Sequence, residues 1–112
     1  MKTIEVKEAE LLKNSHNVKV SKIYDTEHAQ AIHITLEAGE TLKQHITPVD
    51  VFFYVLEGTG IIEVGEEKRE VSRDTLIDSP AKIPHCWYNN GDKVLRILVV
   101  KVPRPTETAG LL

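Results

Sequence analysis

Cysteine is almost missing from this sequence: Cys86 is the single one among 112 residues. That excludes an intramolecular disulfide and any metal site built from several thiolates, and it fits a reducing cytoplasm. Runs of Lys or Arg are missing as well, and 14 basic against 17 acidic residues leave a formal net charge of −3. A nucleic-acid partner needs a basic face to displace phosphate counterions, so none is expected. No long hydrophobic run occurs. The most apolar stretch, residues 95–100, is broken by Arg96 and is far too short to cross a bilayer. The first six residues carry Lys2 and Glu5 where a signal peptide would be apolar, so neither a leader nor a membrane partner is expected.

What remains is ordinary for a folded globule: 41% hydrophobic and 28% charged residues in a chain of single-domain length. The dominant pattern is short β-type segments separated by turn residues. Residues 18–24 and 31–36 alternate apolar and polar side chains with a period of two. Residues 51–56 form a continuous run of β-branched and aromatic side chains, which reads as a strand buried on both faces. Glu57-Gly58-Thr59-Gly60 then supplies a tight turn, and residues 61–64 and 68–71 flank Gly65 as a second hairpin. Residues 75–77, 85–89 and 94–102 complete a set of about nine or ten strands, at the spacing of sandwiches and barrels. Only residues 5–14 carry helical spacing, enough for a turn or two. The proline-bearing polar stretch 103–108 reads as extended or mobile. One domain is expected over 1–112, with a core at about 18–102, an N-terminal extension at 1–17 and a tail at 103–112.

Five histidines are present. His16 and His28 sit among polar residues in expected loops. If Ile32, Ile34 and Leu36 face the core, His33 faces the other way. All three are expected at the surface. His45 differs, because it enters a strand on the same parity as Thr47, Val51, Phe53 and Val55. His85 follows a proline loop and shares its parity with Trp87 and Asn89. If the two segments meet across a barrel, they make a two-histidine polar spot in an apolar lining. The alternative is two partly buried histidines satisfied by hydrogen bonds. Asn89 is expected to fix a turn through its own backbone. Cys86 has the opposite parity to His85 and reads as a small packed hydrophobe. No Gly-rich phosphate loop, nucleophile elbow or paired-cysteine zinc motif is present.

Two stretches resemble the paired motifs of the cupin superfamily. In the first, Gly39, His45 and Gly58 match, while Thr47 stands at the second histidine position and Val51 at the glutamate position. In the second, Pro80, His85 and Asn89 match, while Arg73 and Lys82 stand in place of glycines. The resemblance spans about residues 18 to 102. It implies a double-stranded β-helix, an all-β jelly-roll barrel, usually paired as a homodimer. It also implies a divalent transition metal such as Zn, Ni, Mn or Fe, held in metal-binding members by three histidines and a glutamate. Carried over, it leaves this chain His45 and His85 as metal ligands. Asp50 would join them only if a β-bulge after Pro48 turned it inward; in a regular strand it points to the opposite face.

Two functions follow first. One is a barrel that binds a small molecule in an internal pocket, with His45, Thr47, Val51, Phe53, His85 and Trp87 as contacts and with weak metal binding or none. The other is a metal-dependent enzyme of dioxygenase, isomerase or decarboxylase type with an incomplete protein shell. Metal-free acid–base catalysis by His45 or His85 and a purely structural dimer stand behind them.

Overall fold

The computed structural model describes residues 1–106. Nine β-strands are present among them: β1 (Lys19–Asp25), β2 (Gln30–Leu36), β3 (Thr41–His45), β4 (Val51–Glu57), β5 (Thr59–Val64), β6 (Glu67–Ser72), β7 (Leu76–Ser79), β8 (His85–Tyr88) and β9 (Leu95–Lys101). They form two antiparallel sheets, one of five strands in the order β1-β2-β9-β4-β7 and one of four in the order β3-β8-β5-β6. Chain neighbours such as β3 and β4 are thus divided between the sheets, and the two faces close on each other as a jelly-roll barrel. The all-β architecture expected from the alternating segments is what the chain adopts.

The period-two pattern decides which side chains fill the barrel. On β9, Leu95, Ile97, Val99 and Lys101 are buried while the residues between them are half-buried. The register sets Ile34 of β2 and Val55 of β4 both against Ile97. Phe53 and Trp87, the bulkiest of the fully buried side chains, pack edge to face with ring centroids 5.5 Å apart. An aromatic pair of this kind is worth ~1 kcal/mol beyond the area it buries.

The run 51–56 is not buried on both faces. Val51, Phe53 and Val55 are buried, whereas Phe52, Tyr54 and Leu56 are only half-buried. The reason is architectural: the second sheet covers only the inner face of β4. In the 5–14 stretch a single 3-10 turn forms, at Val6–Glu8, and none of its residues is buried. A short helix with no fully buried residue has little to offset its nucleation cost. Of the stretch expected to be extended or mobile, the described part is tied down at Arg104. Arg104 donates its backbone amide to the His28 carbonyl, and its guanidinium sits 2.7 Å from the Asp25 carboxylate. Residues 107 and 108 of that stretch lie outside the described residues.

Two turns carry left-handed residues, one where a glycine turn was expected and one at a lysine. Gly58, between β4 and β5, has φ +86°, and a side chain there would collide with the Val94 carbonyl. Only glycine fits. Lys82 takes φ +68° in the β7–β8 loop, at the position where the resemblance expects a glycine. Asp74 is left-handed too, at φ +65°, but it stands one place beyond Arg73, the other position where the resemblance expects a glycine. The left-handed geometry is thus kept at Lys82 and not at Arg73.

Candidate functional site

The site is built where β3, β4, β7, β8 and β9 turn their inner faces to one end of the barrel. In β3 the pairing with β8 runs Thr41 to Tyr88, Leu42 to Trp87 and then His45 to His85, so β3 carries one extra residue. This β-bulge rotates His45 onto the inward face it would otherwise miss by one residue. His45 and His85 thereby become direct cross-strand partners. Their rings meet edge to face with centroids 4.4 Å apart, and their Nε2 atoms are 3.0 Å apart.

The hydrogen bonds around the pair fix its protons. The Lys43 carbonyl, 3.1 Å from His45 Nδ1, can only accept. His45 therefore carries its proton on Nδ1 and offers a lone pair at Nε2. His85 Nε2–H donates to that lone pair. His85 Nδ1 then accepts from the Ser79 hydroxyl at 2.8 Å. Thr47 Oγ1 stands 3.5 Å from His85 Nε2 and is itself buried. The result is one directed chain from Ser79 through His85 and His45 to the Lys43 carbonyl.

Both imidazoles are held neutral. Burial first, then the neighbouring His45 and Lys101, lower His85 to about 3. Burial also lowers His45; the hydrogen bond to Lys43 works against this, and His16 and Lys101 add to the lowering. Lys101 is the cation at the site. It continues the inward parity of Leu95, Ile97 and Val99, is 3% exposed, and is lowered to about 8 by burial and by Lys22.

The six residues expected to line the site occupy one inner region of the barrel. Thr47, Val51, Phe53, His85 and Trp87 are buried, and His45 is half-buried at its rim. Phe53 stacks edge-on against His85 with centroids 5.1 Å apart and bridges it to Trp87. Asp50 is not brought to them. No bulge turns it inward; it stays exposed, and its Oδ1 accepts the Ala81 amide at 2.8 Å. With the Lys82 amide bound to the Thr47 carbonyl, this pins the loop that delivers His85. Asn89 does fix its turn, accepting from the Gly91 amide, and it also reaches across to the Leu36 carbonyl.

Three residues near the pair carried no role in the sequence reading. Ser79 and Lys101 continue the inward parity of their strands, a signal that was there to be read. His16 had no such signal, because it arrives from the N-terminal extension. It is half-buried rather than superficial: it accepts the Lys43 amide at Nδ1, 3.0 Å away, and its ring lies 5.4 Å from that of His45. His33 needs a correction. It faces away from the barrel as parity requires, yet it is only 3% exposed and takes a hydrogen bond from Arg96 Nε. Burial and Arg96 together lower it to about 4.

A four-ligand metal shell does not fit these residues. Thr47 and Val51 occupy two of the four positions, and no group of three His, Cys, Asp or Glu side chains able to hold a metal occurs among the described residues. The Lys101 ammonium also opposes a second cation here. Outside the pair, a cleft of about 380 Å³ opens between the edges of β6 and β7, lined by Ile62, Val64, Val71, Ile77 and others. No helix among the described residues is long and apolar enough to cross a membrane.

Comparison with known proteins agrees with this architecture. A family model described as a cupin domain matches residues 32–101. An uncharacterized protein of Methanocaldococcus jannaschii is 35% identical over 67% of this chain, which spans 58% of that relative's length. A crystal structure of a protein from Thermus thermophilus, TT1209, superposes with TM-score 0.80 at 26% identity, covering 94% of this chain and 100% of the other. The polyketide cyclase RemF from Streptomyces resistomycificus superposes with TM-score 0.83 at 16% identity over 100% of this chain and 86% of its own, a likeness of fold.

Proposed function

This chain belongs to the cupin family, and from that premise we propose that it binds a small molecule inside its barrel, at the polar spot around His45 and His85, with weak metal binding or none. The observation that carries this reading is the 3.0 Å contact between the two Nε2 atoms, closed at both ends by Ser79 and the Lys43 carbonyl. Two neutral imidazoles that bond each other are already satisfied without a metal. His45, half-buried at the rim, is the side from which a ligand would approach, with Thr47, Phe53, His85 and Trp87 buried behind it.

One observation favours the second reading, a metal-dependent enzyme with an incomplete protein shell. Metal-binding histidines are held by a hydrogen bond at the far ring nitrogen. The Lys43 carbonyl and the Ser79 hydroxyl can serve that purpose for His45 and His85. Under this reading Ser79 rotates to accept, and both Nε2 lone pairs turn outward.

The two readings part on metal content. Protein purified without chelator and dialysed is expected to hold well under one equivalent of Zn, Ni, Mn or Fe by elemental analysis. Its melting temperature is expected to move little on adding them. Stoichiometric metal that survives dialysis overturns the first reading in favour of the second. The partner set of the proposal is the small molecule and a second copy of the chain, packed through the outer face of the five-stranded sheet.

A further inference from the structure

His45 is turned inward by the extra residue in β3, and two histidines hold the backbone at that bulge. Lys43 lies within it. The Lys43 amide donates to His16 Nδ1 at 3.0 Å, and the Lys43 carbonyl accepts from His45 Nδ1 at 3.1 Å. A β-bulge takes a residue out of the regular ladder, so the polar backbone groups there need other partners. At Lys43 both partners are imidazoles.

The bulge has a competitor. β3 is an edge strand whose sheet neighbour is β8. Leu42 stands opposite Trp87. Continued from there without a bulge, the register would set Gln44 opposite His85 and carry His45 past it. A slip of one residue moves a side chain to the other face. Lys43 and Gln44 are exposed, so their own burial does not choose between the two registers.

His16 reaches β3 from a fixed loop. The Leu12 amide donates to the Val20 carbonyl of β1 at 2.8 Å. Asn14 Nδ2 donates to the Leu12 and Val18 carbonyls, and Asn14 Oδ1 accepts the His16 and Val18 amides. One side chain thus closes residues 12–18 on themselves and sets the place of His16. The His16 ring is half-buried, 5.4 Å from that of His45. Burial first, then Lys43, lowers its pKa below the ordinary 6.5, which leaves a neutral ring with a lone pair at Nδ1.

We propose that His16 is a positioning residue of the barrel site: by accepting the Lys43 amide it holds the β3 bulge, and through the bulge it fixes the His45 ring against His85. The loop 12–18 is then part of the site. The inference rests on the binding-barrel reading for the purpose of the pair. That reading is tested by metal content and this one by variants of the loop, so each can fail alone.

The full chain, labelled with nitrogen-15, is studied at pH 7 by long-range proton–nitrogen spectra of the histidine rings. In the unmodified protein His16 is expected to carry its proton on Nε2. A scalar coupling is expected across the hydrogen bond from the Lys43 amide nitrogen to His16 Nδ1. His16→Phe keeps a ring without an acceptor. It is expected to draw the two ring nitrogens of His45, well separated in a single tautomer, toward a common value, and to shift His85 Nε2 with them. His16→Asn puts a carbonyl oxygen where Nδ1 stood and is expected to restore the original pattern. Asn14→Ala loosens the loop from within and should move the His45 signals in the same direction, by less. His45 signals left unchanged in His16→Phe overturn the proposal, as does a His16 protonated at Nδ1. A His16→Asn protein that behaves like His16→Phe assigns the effect to lost packing and overturns it too. If His16→Phe does not fold, the coupling and Asn14→Ala decide together: a missing coupling, or His45 signals unmoved in Asn14→Ala, overturns the proposal.

Discussion

Ser79 Oγ lies 2.8 Å from His85 Nδ1, and both side chains are buried. This contact completes the direction that the Lys43 carbonyl sets, because the hydroxyl can donate to His85 Nδ1 while His85 spends its single hydrogen on His45. Ser79→Ala removes it and leaves a buried imidazole nitrogen without a partner. The expected cost is about 1–3 kcal/mol in urea unfolding. A change below about 0.5 kcal/mol would mean that the ring is satisfied by another group.

Acid should destabilise the fold well before the carboxylates titrate. His85 and His33 titrate near their ordinary 6.5 once unfolded, but at about 3 and about 4 when folded. The unfolded chain therefore binds more protons below pH 6.5, and stability falls as pH falls through that value. At pH 5 each of these two buried rings costs on the order of 2 kcal/mol relative to pH 7. Urea midpoints at the two pH values test this. His85→Gln and His33→Gln, read separately, should each flatten part of the slope.

Two of the left-handed positions, Gly58 and Lys82, predict substitutions of opposite sign. Gly58→Ala pushes a methyl group into the Val94 carbonyl and should cost roughly 3 kcal/mol. Lys82→Gly relieves a strained side-chain-bearing residue and should gain about 0.5–1 kcal/mol, the left-handed penalty less the extra entropy that glycine loses. Thermal unfolding of both variants checks the pair.

The outer face of the five-stranded sheet places Leu98 between Tyr54 and His33, with Phe52, Val100 and Ala31 on the next rung. These side chains are half-buried except His33, which is buried. Light scattering is expected to give a dimer, and Leu98→Lys a monomer. A wild-type monomer at micromolar concentration would remove the second copy from the account.

The alternation of residues 31–36 and 95–101 made those strands legible, since each residue's side follows from its parity. The inner residues around His85 were legible for the same reason. His45 was assigned to the right face, but the bulge in β3 that puts it there depends on pairing with β8, which no local pattern encodes. Asp50 was left between two orientations, and what decides it is a hydrogen bond to Ala81, far away in sequence. The burial of His33 and the approach of His16 to His45 are likewise long-range. Lys101 was overlooked although it continues the parity of Leu95, Ile97 and Val99, because a lysine at a strand end reads as a solvated residue until the partner sheet is in place.

The account turns on His45 and His85 forming a metal-free, directed pair. Long-range proton–nitrogen spectra of the histidine rings at pH 7, on protein purified without added metal, test it most directly. The account predicts neutral rings, His45 protonated at Nδ1 and His85 at Nε2, unchanged by adding chelator. Two rings both lacking a proton at Nε2, which regain the directed pattern only after chelation, would contradict it.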